Sequence, residues 1–139
     1  MLGVTTRSLF LKRHRHLFPA IESLLTLVAH KIHFNMRKVI KSDTFAKWID
    51  TLRDRAGAAH VLRRLARLER GNPGHVAPVG GGVSELKIDF GPGYRVYFGQ
   101  RGEDLVIILS GGDKSRQDRD IQAAKRLWAE WQEQTDDAS

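Results

Sequence analysis

The stretch Glu85-Leu-Lys-Ile-Asp-Phe-Gly-Pro-Gly-Tyr-Arg-Val-Tyr-Phe98 predicts a β-hairpin. Apolar residues alternate on both sides of a Gly-Pro-Gly turn, as in two antiparallel strands that each bury one face. With Phe90 opposite Tyr94, the even-numbered apolar residues share the core face. In this register Asp89 faces Arg95. Lys87 faces Tyr97. The other, polar face then carries Glu85, Lys87, Asp89, Arg95 and Tyr97.

A third strand is expected over Leu105–Ser110, where the continuous apolar run is typical of an inner strand covered on both faces. It leads into Gly111-Gly-Asp-Lys-Ser115, which we interpret as a Gly-rich turn. The last helix is expected to begin near Arg116, because Ser115 and Asp118 have capping-box-like spacing. Lys114 then lies near the polar face of the hairpin.

Upstream, a short first strand and two helices are expected. Arg37–Lys41 reads as the strand, and Ser42 can cap a helix with an apolar face at helical spacing. A second helix follows Gly57 and is stopped by Gly71-Asn-Pro-Gly74. The outer face of this helical hairpin is rich in arginine, which favours either an RNA-binding surface or an ordinary solvated face. The arginines that we assign to substrate binding are Arg63, Arg67 and Arg70.

The predicted fold class is α+β, in the order β-α-α-β-β-β-α, with an antiparallel-rich sheet of about four strands. The Gly/Pro-rich segment 75–82 is expected to be a mobile loop. The domain is predicted to span residues 36–134, followed by a frayed tail over 135–139. Residues 1–35 hold five Lys/Arg and one acid, unlike the rest, and are interpreted as a loosely attached extension or a product of an upstream start codon.

Composition limits the chemistry. The 139 residues contain no cysteine, which excludes a disulfide, a thiolate nucleophile and a Cys-ligated metal. No apolar run approaches the roughly 18 residues of a membrane helix. We therefore predict a cytoplasmic protein without cofactor, metal site or membrane contact. The formal net charge of +7 favours polyanionic partners, nucleic acid first.

The element order and two segments resemble the RelE/ParE toxin superfamily, and within it the phage-derived, HigB-like "addiction module killer" branch of type II toxin–antitoxin systems. The segments are the hairpin 85–98 and Leu109-Ser-Gly-Gly-Asp-Lys-Ser-Arg-Gln-Asp-Arg-Asp-Ile121. The resemblance covers about residues 36–133. It implies a small toxin that is neutralised by a cognate helix-turn-helix antitoxin and that cleaves messenger RNA, often on the ribosome, so that translation stops.

Under that resemblance the candidate catalytic residues are Arg95, Lys87 and Lys114. The planar guanidinium group of Arg95 can donate hydrogen bonds to two phosphate oxygens, and it stays protonated. Lys87 can bind phosphate or accept a proton, and Lys114 precedes a helix start, where anions are favoured. Glu85 and Tyr97 are assigned to the substrate surface, Glu85 as a candidate base and Tyr97 as a stacking group.

For each of these residues an ordinary structural role stays open. Arg95 can form a cross-strand ion pair with Asp89, Lys87 and Lys114 can be solvated charges, and Tyr97 can simply pack. The predicted last helix contains no Tyr or His, and no His follows His75, so the general acid is unassigned. Two other functions also remain: a ParE-like gyrase poison without its own chemistry, and a non-catalytic RNA-binding module. The fold alone does not choose among them.

Overall fold

A computed structural model of the chain describes residues 37–138. The elements are β1 (Lys38–Lys41), α1 (Asp43–Thr51), α2 (Arg55–Glu69), β2 (Val76–Gly80), β3 (Val83–Ile88), β4 (Tyr94–Arg101), β5 (Leu105–Asp113), a 3-10 turn (Lys114–Arg116) and α3 (Gln117–Asp137). The predicted extension over residues 1–35 lies outside the described residues.

The first two helices form as the sequence pattern predicts. The Ser42 side chain accepts a hydrogen bond from the backbone N–H of Phe45, which satisfies one of the free donors at the start of α1. Asp54 does the same for α2 by accepting from Gly57, so Gly57 lies in the first turn of α2 and not between the helices. Gly71 then ends the helical segment with a φ of 82°.

Within residues 37–138 the sheet has five strands, in the order β1-β5-β4-β3-β2, and not the predicted number of about four. β1 runs parallel to β5, and the other neighbours are antiparallel, so the sheet is mixed. The missed strand is β2, which lies in the segment predicted to be a mobile loop. The segment includes Pro78, which lacks a backbone N–H. Because β2 is an edge strand, Pro78 can lie in it without the loss of a hydrogen bond inside the sheet.

The predicted hairpin exists, but its register is shifted by two residues. Arg95 pairs with Lys87, Tyr97 with Glu85, and Tyr94 with Ile88. The connection is therefore five residues long, Asp89–Gly93, and not the three-residue Gly-Pro-Gly loop. A shift of two preserves which side chains share a face, so the predicted core face is right while the predicted Asp89–Arg95 pair is wrong.

Both faces of the sheet are covered, which the sequence reading did not predict for the hairpin. α1 and α2 pack on one face through an apolar cluster that includes Phe45, Val61, Leu65, Leu86 and Val96. α3 packs on the other face, where Trp128 and Ala124 meet Tyr97 and Ile107. Three residues of the polar face are consequently enclosed beside α3: Glu85 is 1 % exposed, Arg95 7 % and Tyr97 0 %, while Lys87 is partly buried and Asp89 is exposed.

β5 is an inner strand, as its continuous apolar run predicts, and Val106 to Leu109 are all buried. It extends further than expected, because Gly111 and Gly112 belong to the strand and do not form a turn. A Cβ on Gly111 would collide with the Trp48 ring of α1, so only glycine leaves room for that ring. The tight spacing of the two layers therefore explains this glycine.

The entry into α3 also differs from the prediction. Asp113, and not Ser115, supplies the capping side chain, because its carboxylate accepts from the backbone N–H of Ser115 at 2.9 Å. α3 itself starts at Gln117 without a side-chain cap. At its other end the helix continues to Asp137, so residues 135–137 are helical and not the predicted frayed tail.

Candidate functional site: cations around Glu85

Glu85 lies at the centre of a charged cluster on the α3 side of the sheet. Its Oε1 is 3.7 Å from Nε of Arg95 and 3.9 Å from Nζ of Lys87. Its Oε2 accepts a 2.7 Å hydrogen bond from Nε2 of Gln117 on α3. Both carboxylate oxygens therefore have partners, as a carboxylate with almost no contact to water requires.

Arg95 reaches this carboxylate from the neighbouring strand and is itself 7 % exposed. Its Nη1 makes only long hydrogen bonds, of 3.4 Å and 3.5 Å, to the carbonyls of Gly93 and Tyr94. Its Nε makes none within residues 37–138. The guanidinium therefore keeps unused donor capacity, which is what an anion would require.

Lys114 approaches the same guanidinium from the 3-10 turn. The Cβ position of Gly93 lies 3.4 Å from Nη1 of Arg95 and 3.8 Å from Cβ of Lys114, so both side chains flank this glycine. Gly93 has a φ of 81°, a conformation in which a side chain would be strained. The Lys114 side chain is exposed, so it can also contact an anion that binds at Arg95.

The fold thus gathers the three cations assigned to catalysis, Lys87, Arg95 and Lys114, along one end of the sheet. Lys87 and Arg95 are register partners on β3 and β4, and Lys114 directly follows the strand that pairs with β4. The cluster holds these three positive groups together with the carboxylate of Glu85, and Asp120 lies over Gly112, the register partner of Arg95. Such a site can bind a phosphodiester and stabilise charge that develops on it.

Tyr97 is not a surface stacking group, because it is fully buried beside Glu85. No hydrogen bond forms between its hydroxyl and the Glu85 carboxylate, and the hydroxyl has no other partner in the described part of the chain. Burial raises the pKa of Tyr97 above its ordinary value, and the negative charges of Glu85 and Asp120 act in the same direction. The packing interpretation of Tyr97 is the one that its position supports.

The arginines assigned to substrate binding lie elsewhere. Arg63, Arg67 and Arg70 are exposed on α2, which covers the opposite face of the sheet from Glu85. Their neighbour Arg64 is structural, since its guanidinium donates to the carbonyls of Lys87, at 2.8 Å, and of Pro73, at 2.9 Å. The α2 arginines and the cation cluster are therefore two separate basic surfaces.

The histidine on α2 has a packing role. The His60 ring stacks on Phe90, with 4.0 Å between ring centroids. Nearby, Asp54 accepts a hydrogen bond from the Tyr94 hydroxyl. This group lies on the α2 side of the sheet and does not contribute to the Glu85 cluster.

Sequence reasoning missed two residues of the site, Gln117 and Asp120. Both lie at the start of α3, three residues apart, so their side chains lie on the same side of the helix. Their signal in the sequence was weak, since a polar first turn is common in any helix. The glycine at position 112 is the clearer indication, because it leaves room for the Asp120 carboxylate.

Among residues 37–138 no group of three His, Asp or Glu side chains is arranged to hold a metal ion. Over the same part of the chain, every helix is too short or too polar to cross a membrane.

The fold and site define a small α+β protein with a cluster of charged side chains at one end of a mixed sheet. A family model described as "Phage derived protein Gp49-like" matches residues 47–129 of the chain. A relative from Haemophilus influenzae, an uncharacterized protein, is 46% identical over 84 residues, which are 60% of this chain and 85% of the relative. The chain belongs to the Gp49-like phage-derived family, which is of the RelE and addiction-module killer type.

Membership indicates a toxin of a toxin–antitoxin system and implies an antitoxin partner. The resemblance described for the sequence likewise implies a small toxin that has a cognate antitoxin.

Proposed function

We propose that the protein is an endoribonuclease toxin that cleaves messenger RNA, in the manner of HigB-like members of the superfamily, and so inhibits translation. The observation that carries this proposal is the convergence of Lys87 and Arg95 on the buried Glu85, with Lys114 beside Arg95. A binding-only surface has no need to keep a guanidinium enclosed with unused donors, whereas stabilising a transition state benefits from preorganised charge.

In the proposed cleavage of RNA, a ribose 2′-hydroxyl attacks the adjacent phosphorus. In our proposal Arg95 and Lys114 bind the non-bridging phosphate oxygens, on which negative charge grows as the bond forms. Lys87 adds positive charge to the same site. Glu85 is not the base, because its two oxygens are occupied by Arg95, Lys87 and Gln117; it holds the cations in place.

The proposed partners follow from the family and from charge. The antitoxin is expected to be a helix-turn-helix protein that covers the cation cluster or α2 with acidic side chains. The substrate is expected to be messenger RNA on the ribosome, which can position the chain and exclude water from a site that is partly open.

The test is expression of the full chain in a bacterium, with growth and messenger integrity as readouts. We expect growth arrest and messenger fragments cut within coding regions. Lys114→Ala and Lys87→Ala should each reduce cleavage, by about a hundred-fold where a preorganised contact to the transition state is lost. Lys47→Ala, which removes an exposed lysine of α1, is the matched control and should cleave normally.

Two results would contradict the proposal. Growth arrest with DNA breaks and intact messengers would indicate a ParE-like gyrase poison. Salt-sensitive RNA binding that never yields fragments, on or off the ribosome, would indicate a non-catalytic RNA-binding module.

A further inference from the structure

The carboxylate of Asp120 occupies the space that a side chain on Gly112 would fill. A Cβ built on Gly112 would collide with Oδ2 of Asp120, the closest such approach for any glycine of the described chain. Gly112 is the register partner of Arg95 on the adjacent strand. Side chains of register partners point to the same face and lie about 5 Å apart. The Asp120 carboxylate, at the side-chain position of Gly112, therefore lies beside Arg95 on the face that also carries Lys87.

This position is specific to Gly112. The preceding glycine, Gly111, points to the other face, where the Trp48 ring lies over it. Gly99, which is on the α3 side, lies under Trp128. Gly99, Gly111 and Gly112 thus each lie under a side chain of a covering helix, and among these three only Gly112 lies under an ionisable one.

The surroundings of Asp120 contain unused hydrogen-bonding groups. Nε of Arg95, the hydroxyl of Tyr97 and Oγ of Ser110 are buried without a hydrogen bond within residues 37–138, although that Nε forms the ion pair with Glu85. Tyr97 and Ser110 are register partners in the row next to that of Arg95 and Gly112. Orphaned polar groups of this kind are rare in native proteins and call for a ligand or a solvent molecule at the site.

We propose that Asp120 is the general base of this site and accepts the proton of the 2′-hydroxyl whose phosphate is held by Arg95 and Lys114. This inference rests on the proposed function and adds the proton acceptor that it lacks. Glu85 is the alternative carboxylate, but Arg95, Lys87 and Gln117 occupy both of its oxygens, whereas Asp120 is half-buried.

The 2′-oxygen forms a bond to phosphorus while its proton passes to Asp120. The bond from phosphorus to the 5′-oxygen breaks, its electron pair stays on that oxygen, and the oxygen takes a proton from water. Asp120 then returns its proton to the solvent. The products are a 2′,3′-cyclic phosphate and a 5′-hydroxyl end, without net consumption of water.

The charges around Asp120 suit this role. Burial raises the pKa of Asp120 above its ordinary value, and the Asp113 carboxylate acts in the same direction, while Arg116 of the 3-10 turn and Arg119 of α3 act against it. On the sheet, the Tyr97 hydroxyl feels the charge of Asp120, and Arg95 is the register partner of Gly112 beneath it. A carboxylate with a raised pKa is the stronger base once ionised, so the rate should rise with pH through the pKa of Asp120 and then level off.

The experiment compares the full-length protein with Asp120→Asn in single-turnover cleavage of a labelled messenger on programmed ribosomes, from pH 5 to 9. We expect a loss of at least about a hundred-fold in rate and a loss of the rising limb of the profile. Binding to the programmed ribosome and the melting temperature should stay near those of the unaltered protein, since the substitution keeps shape and volume. Asp118→Asn, which changes an exposed carboxylate in the same helical turn, should keep both rate and profile.

A second variant, Gly112→Ala, leaves every charge in place but displaces the Asp120 carboxylate, and it should also reduce the rate. Cleavage by Asp120→Asn at the full rate with an unchanged pH profile would overturn the role of Asp120 alone. Absence of cleavage by the unaltered protein on the ribosome would overturn the proposed function itself.

Discussion

Oε1 of Glu85 lies 3.7 Å from Nε of Arg95, and the two side chains are, respectively, 2 % and 9 % exposed. An ion pair of this kind differs from the open-surface pair that the sequence suggested for Arg95. Two charges taken out of water are costly, and their mutual attraction compensates only when the remaining hydrogen-bonding capacity is also met. Gln117 and Lys87 supply this for Glu85, so the cluster has a structural role in addition to any catalytic one.

Removal of Arg95 should therefore destabilise the protein as well as inactivate it. We expect Arg95→Ala to lower the free energy of unfolding by about 3 kcal/mol, because it leaves Glu85 buried without its main counter-charge. Urea unfolding measures the change. The double variant Arg95→Leu/Glu85→Leu should recover part of the loss, and an Arg95→Ala protein as stable as the original would show that the pair is solvated in solution.

The glycine beneath Trp48 should be sensitive to a single added methyl group. In Gly111→Ala the new Cβ would overlap the Trp48 ring, and relief requires a shift of α1 away from the sheet. Overpacking of this kind typically costs about 1–3 kcal/mol, which thermal unfolding can detect. Gly111→Ala combined with Trp48→Leu should regain stability relative to Gly111→Ala alone; if both variants lose equally, the ring does not lie over this glycine.

The hydrogen bond of 2.7 Å from Tyr94 to Oδ2 of Asp54 should be visible in the pH dependence of stability. The backbone N–H of Gly57 and the Tyr94 hydroxyl lower the pKa of Asp54. The unfolded chain then binds the proton more readily, so this stabilisation is present above pH ~4 and is lost as the pH falls through the lower folded pKa. Asp54→Asn should make the melting temperature less sensitive to acid below pH ~4.

At alkaline pH the same contact acts through the phenol. Burial and the Asp54 carboxylate raise the pKa of Tyr94 to about 12. A raised folded pKa stabilises the native state below the unfolded value near ~10, and the stabilisation is lost as the pH rises from there through the folded value. Tyr94→Phe should reduce the alkaline loss of stability. An identical alkaline limb in Tyr94→Phe would contradict the assignment.

The arginines of α2 should affect RNA binding without affecting the chemical step. Arg63, Arg67 and Arg70 are exposed and lie on the opposite side of the sheet from Glu85. For single-stranded RNA, each phosphate contact contributes about −0.7 to the slope of the logarithm of the binding constant against the logarithm of the salt concentration. Replacing all three arginines by Gln should therefore make this slope shallower by about 2 if each arginine binds a phosphate. The single-turnover rate at saturation should stay unchanged. A lower saturated rate with an unaltered salt slope would show that they act at the site instead.

Local patterns in the sequence were sufficient to predict the helices, the inner strand and which residues of the hairpin share a face. The Ser42 cap, the apolar run of β5 and the alternation of Leu86, Ile88 and Val96 each depend on near neighbours alone. The same local chemistry brought Lys87, Arg95 and Lys114 into one hypothesis, since hairpin parity and a strand-to-helix connection are short-range features. Their gathering at one end of the sheet follows from that order of elements.

Long-range packing decided the rest. A register shift of two keeps every side chain on its face, so parity could not tell whether Arg95 faces Asp89 or Lys87. Nothing local showed that α3 would cover the polar face and change Glu85 from a candidate base into a buried counter-ion. The place of Asp120 over Gly112 likewise requires the packed helix, because contact between a first-turn carboxylate and a strand glycine depends on how closely the two layers approach.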